Sequence, residues 1–78
     1  MFYFRYIILG NHRDAWTFGA SDPSSGSAVM TELVRVLGAS QKELNYRPRR
    51  SVMVCSWGAE EAAMFGSTEW SEEVGKIY

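Results

Sequence analysis

Apolar and polar positions along this chain change period from segment to segment. Phe4 to Leu9 is a short, nearly continuous apolar run with Tyr and Ile, the pattern of a strand buried on both faces, and Gly10 is placed to end it. Asp22-Pro23-Ser24-Ser25-Gly26 is turn chemistry, with Ser24 or Ser25 available to cap a following helix. Val29, Leu33, Val36 and Leu37 then recur at helical spacing, and Gly38 sits where a left-handed cap would stop that helix. The stretch from Gly38 to Arg50 is polar, and its Arg47-Pro48-Arg49-Arg50 reads as a solvated lead into a strand. Ser51 to Trp57 is a second strand, again apolar on both faces. After Gly58 the pattern predicts a short linker and then a helix from about Ser67, with Trp70, Val74 and Ile77 on one face and Glu69, Glu72 and Glu73 facing water.

Two strands joined through a helix make a right-handed βαβ unit with parallel strands, so the fold class is α/β with the order βαβα. Parallel strands end at the same sheet edge, and open α/β sheets keep their chemistry there. The Leu9–Gly26 connection places His12, Asp14 and Asp22 at that edge, and the second strand runs out into Glu60 and Glu61. Zinc accepts imidazole nitrogen and carboxylate oxygen, so His12 and the carboxylates are candidate ligands. Of two adjacent carboxylates whose side chains diverge, one can bind a metal while its neighbour handles a proton.

Composition changes this picture in one respect. Seventy-eight residues allow at most one small domain, and a domain of that size buries only about 60% of the surface its unfolded chain exposes. A single cysteine, Cys55, excludes an internal disulfide framework, so stability has to come from a metal or from further protein surface. Three Trp, four Tyr and four Phe suit a piece of a larger core. Net charge of -1 with both signs interspersed gives no case for nucleic acid or an anionic membrane surface. The apolar start carries Arg5 and is shorter than the roughly 20 residues of a spanning helix, and it lacks the features of a signal peptide. Compartment is not legible in the residues themselves.

Asn11-His12-Arg13-Asp14-Ala15-Trp16, Gly19-Ala20-Ser21-Asp22-Pro23-Ser24-Ser25-Gly26, Arg47-Pro48-Arg49-Arg50, Ser56-Trp57-Gly58-Ala59-Glu60-Glu61 and Phe65-Gly66-Ser67-Thr68-Glu69-Trp70 follow one another in an order that resembles the glutamate carboxypeptidase II family of dizinc peptidases. The resemblance runs from about Arg5 to the end and covers about a tenth of a full-length member. It implies that residues 1–78 are a partial zinc-peptidase domain, a βαβα fragment of a three-layer α/β/α architecture. It also implies a site for two Zn2+ ions. His12 corresponds to the histidine ligand of one zinc, Asp22 to the aspartate bridging both, Glu61 to the glutamate ligand of the other, and Glu60 to the general base. Asp14 is placed to accept the other ring N–H of His12 and fix its ligating tautomer. The Asp22–Pro23 bond is one that can be cis in such peptidases. Trp16, Trp57 and Trp70 are read as packing.

The family's remaining aspartate and histidine ligands are expected downstream of Tyr78, so each zinc would have two protein ligands here against the three usual at a catalytic site. The isolated chain is therefore expected to be catalytically inactive and poorly folded. The resemblance further implies a peptide substrate, frequent homodimerisation and an extracellular ectodomain of a type II membrane protein. Two alternatives belong to other classes: a non-catalytic receptor or interaction module of the same fold, like the transferrin receptors, and a truncated product with no function of its own.

Overall fold

Two paired strands carry the organisation of the chain. The computed structural model describes residues 5–77 apart from the side chain of Ile77, and its elements run β1 (Tyr6–His12), α1 (Ser24–Leu44), β2 (Ser51–Trp57), α2 (Glu60–Ala63) and α3 (Phe65–Ile77). Phe4 and the Ile77 side chain, both used in the sequence reading, lie outside the described residues. β1 and β2 pair in parallel, from Tyr6 opposite Ser51 to His12 opposite Trp57, with α1 as the crossover. The α/β class and the parallel pairing are as the pattern predicts, and β2 has the predicted bounds.

Gly10 does not end β1. A Cβ placed on it would overlap the indole of Trp57, so the glycine is a slot for that ring, and the ladder continues through Asn11 and His12 to an Arg13 N–H bonded to the Trp57 carbonyl at 2.9 Å. Side chains alternate across the sheet, which puts Gly10, His12 and Trp57 on one face and Leu9 and Asn11 on the other. The first face meets α3, where Trp57 and Trp70 pack with ring centroids 5.9 Å apart at an angle of 56°. Against the second lies α1, with Gly26, Val29 and Leu33 beside Leu9 and Asn11.

Both ends of α1 differ from expectation. Neither Ser24 nor Ser25 caps it; the residue before the helix is Pro23, and Ser25 Oγ donates to the Ser21 carbonyl at 2.5 Å. The preceding turn already supplies acceptors for the first amides, with the Ser24, Ser25 and Ser27 N–H groups bonded to Gly19, Ser21 and Pro23 carbonyls. Gly38 lies within the helix, where a side chain would meet nothing. The good helix formers after it (Ala39, Gln41, Lys42, Glu43 and Leu44) outweigh the roughly 1 kcal/mol a helical glycine costs. Asn45 (φ 53°, ψ 29°) supplies the left-handed stop instead.

The linker predicted after Gly58 contains the four-residue α2, and α3 starts at Phe65 rather than about Ser67. Ala59 (φ 57°) and Met64 (φ 56°) hold left-handed backbone on either side of α2 without being glycine, which hides both turns from a sequence reading. A Cβ in that conformation costs about 1–2 kcal/mol, and glycine returns about half to one of these in chain entropy. Met64→Gly, at a side chain that is 57% exposed, is therefore expected to raise the urea midpoint. A lowered midpoint would mean that the Met64 side chain contributes packing that outweighs the strain.

The strands have apolar faces that are left largely open, as expected of a piece of a larger core. Among the described residues no hydrophobic side chain is buried, and Ile7 is 53% exposed. Two strands with both edges open cover too little of their own surface. The radius of gyration of 15.0 Å exceeds the roughly 11.5 Å of a compact domain of this length. Marginal stability follows directly.

Candidate metal centre

Five side chains meet at the carboxyl end of the sheet. His12 closes β1, Asp14 and Asp22 come from the connection to α1, and Glu60 and Glu61 open α2 just past β2. His12 Nε2 lies 2.8 Å from Asp22 Oδ1 and 3.7 Å from Glu60 Oε2. His12, Glu60 and Glu61 each present a ligand atom, all within 4.8 Å of one another. The Asp22–Pro23 peptide is cis.

Asp14 orders the centre in two ways. The Asp14 backbone carbonyl lies 3.1 Å from His12 Nδ1 and its Oδ1 lies 3.4 Å away, and since a carbonyl only accepts, Nδ1 carries the proton. Nε2 then turns its lone pair toward the carboxylates of Asp22 and Glu60, an arrangement that is repulsive unless a cation or a second proton lies among them. The Asp14 carboxylate also accepts the Glu60 and Glu61 N–H groups, one on each oxygen, both at 3.1 Å. The resemblance implies a pairing of the Asp14 side chain with His12, and the nearer acceptor is the Asp14 backbone carbonyl. The clamp on Glu60 and Glu61 bridges 46 and 47 residues, and no local pattern announces it.

Charge follows geometry. Partial desolvation pulls the His12 pKa down, but Glu60, Asp14 and Asp22 outweigh it and hold the imidazole above its ordinary value. Asp14 is pushed up by desolvation and pulled down further by the Glu61 and Glu60 N–H groups, its own N–H and His12, so its carboxyl lies below the usual range. Glu61 is raised by desolvation and by repulsion from Asp22, Glu60 and Asp14, against a smaller attraction to His12. The Asp22 side chain is 72% exposed while His12 is 15% exposed, so the centre is held from the sheet side and open toward solvent. The donor set, one imidazole nitrogen with clustered carboxylates, suits a borderline divalent cation.

An α/β chain with imidazole and carboxylate donors at the carboxyl ends of two parallel strands has the makings of a metal-dependent hydrolase. Residues 4–77 match Peptidase family M28, and the chain belongs to that family. It is 59% identical over 69 residues to "Aminopeptidase NAALADL1" of Rattus norvegicus, an overlap of 88% of this chain and 9% of the rat protein. The protein called "Probable glutamate carboxypeptidase LAMP1" in Arabidopsis thaliana is 58% identical over 88% of this chain and 10% of its own length. "Glutamate carboxypeptidase 2 homolog" of Caenorhabditis briggsae is 48% identical, over 88% and 9% respectively. The chain thus spans about a tenth of the curated relatives it matches. No solved structure matches it. No helix among the described residues is long and apolar enough to cross a membrane.

Proposed function

We propose that this chain is the part of a zinc-dependent exopeptidase, of the glutamate carboxypeptidase kind, that supplies half of a two-zinc centre and its general base. The observation that carries the reading is the convergence of His12 Nε2 with Asp22 Oδ1 at 2.8 Å, together with ligand atoms of His12, Glu60 and Glu61 that all lie within 4.8 Å of one another. His12 and Asp22 would hold one zinc, Asp22 and Glu61 the other. Zinc, when bound, supplies Lewis-acid polarisation of a scissile carbonyl and of the attacking water. Glu60 accepts the proton that this water gives up and returns it to the leaving amine. Asp14 holds the His12 ring in the tautomer that offers Nε2, and keeps Glu60 and Glu61 at the rim through their backbone amides. The three-layer domain, a peptide substrate, dimerisation and an extracellular setting belong to the longer protein under this reading.

Two protein ligands per zinc leave the isolated chain short of a catalytic site, so we expect no peptide hydrolysis by it at any zinc concentration. Metal-dependent turnover by the 78-residue chain would contradict that. In a chain extended to the full length of its relatives, Glu60→Gln is expected to lower kcat about 10²–10⁴-fold at unchanged zinc content. Retained kcat would remove Glu60 from the reaction.

The pKa directions give a further expectation. A ligand must shed its proton before zinc binds, and both His12 and Glu61 hold theirs more tightly than usual. Zinc affinity should fall as pH drops through the raised His12 range, with a proton release visible as a calorimetric enthalpy that changes with the buffer. Without zinc the sign reverses: the charged imidazole among carboxylates stabilises the fold below its unfolded pKa, and this contribution is lost as pH rises through the folded one. An affinity independent of pH across that range would exclude His12 as a ligand.

A further inference from the structure

The Asn11 side chain is the polar link between the strand that carries His12 and the turn that carries Asp22. Its Nδ2 donates to the His12 carbonyl at 2.8 Å, to the Pro23 carbonyl at 3.2 Å and to Ser27 Oγ at 2.9 Å. Three acceptors from three segments share two hydrogens: the end of β1, the turn next to Asp22 and the first turn of α1. On its other side the amide oxygen lies against the backbone of Gly26, so close that a Cβ there would collide with it. The amide is thus fixed from both sides. Among the described residues the Asp22 side chain meets β1 through the contact with His12 Nε2, and its carboxylate is mostly exposed.

From this we infer that Asn11 is a positioning residue for the centre: its amide sets the separation between His12 and Asp22. The role in metal binding rests on the zinc reading above, whereas the role in geometry does not. Leucine at position 11 keeps the approximate shape but has no donor, and aspartate sets an acceptor against two carbonyl oxygens. Ala at position 26 leaves Asn11 itself untouched and displaces its amide, while improving helix propensity. Ser27→Ala removes one acceptor of three and leaves the other two.

The test is nuclear magnetic resonance on the metal-free 78-residue chain, reading the contact between the His12 ring and the Asp22 methylene, followed by titration with Co2+ alone and its visible spectrum. The contact should be present in the unsubstituted chain and in Ser27→Ala. It should be lost in Asn11→Leu, Asn11→Asp and Gly26→Ala while the amide signals of the β1–β2 ladder persist, and Co2+ affinity should fall about 10–100-fold in those three. A contact that survives Asn11→Leu, or that is absent from the unsubstituted chain, overturns the inference. Loss of the contact without Co2+ binding by any version upholds the positioning role and removes the metal reading. Should Asn11→Leu lose the ladder signals as well, Gly26→Ala decides: an intact ladder without the contact supports the inference, and an intact ladder with it overturns it.

Discussion

Glu61→Gln is expected to lower zinc affinity at least about 100-fold, because even a partner that only orients a ligand is worth about 10–100-fold, and Glu61 is assigned as a ligand itself. Glu60→Gln should leave the affinity nearly unchanged. The two carboxylates are neighbours in sequence at the start of α2, where successive side chains point about 100° apart, so the backbone favours separate tasks for them. Geometry alone does not divide the tasks: Glu60 lies 3.7 Å from His12 Nε2, and both glutamates belong to the cluster within 4.8 Å. The assignment of Glu61 to zinc and Glu60 to proton transfer comes from the family pattern. Calorimetric titration of the two variants separates the possibilities. Equal losses would make Glu60 a ligand and leave the proton-transfer role without a residue in this chain.

The second large effect is expected at Asp14. Asp14→Ala removes both acceptors that hold the Glu60 and Glu61 amides and one of the groups facing His12 Nδ1, leaving only the backbone carbonyl there. Zinc affinity should fall about 10–100-fold, within the range known for groups that orient ligands. Asp14→Asn keeps one oxygen able to accept and should lose less, in affinity and in protection of the Glu60 and Glu61 amides from hydrogen exchange. If Asp14→Ala bound zinc as the parent does, the clamp would be incidental to the centre.

How much could be read beforehand depended on whether the physics was local. β2 was fully legible because the apolar run Val52 to Cys55, closed by Trp57, is bounded by Arg50 and Gly58. That His12, Asp22 and Glu60–Glu61 share one rim was legible too, since parallel strands end at the same edge and these residues lie at the end of β1, in the connection after it and just past β2. Gly10 and Gly38 were misleading for opposite reasons. One is a slot for an indole from another strand, the other a tolerated defect in a long helix, and glycine reads as a stop in both places. Ala59 and Met64 hid the turns around α2, because left-handed backbone without glycine leaves no mark on the sequence. The exposure of the strand faces is legible as well, since a piece of a larger core leaves them open. Apolar strand faces record what the chain is built to be covered by, and among the described residues α1 and α3 cover them only in part.

The central claim is that this segment already holds half of a zinc centre. It is tested most directly by calorimetric titration of the purified chain with zinc while far-UV circular dichroism follows helix content, with His12→Ala and Asp22→Ala measured alongside. The account predicts stoichiometric binding, with helix content already present before zinc is added, and loss of that binding on either substitution. No binding, or binding indifferent to both substitutions, would contradict it.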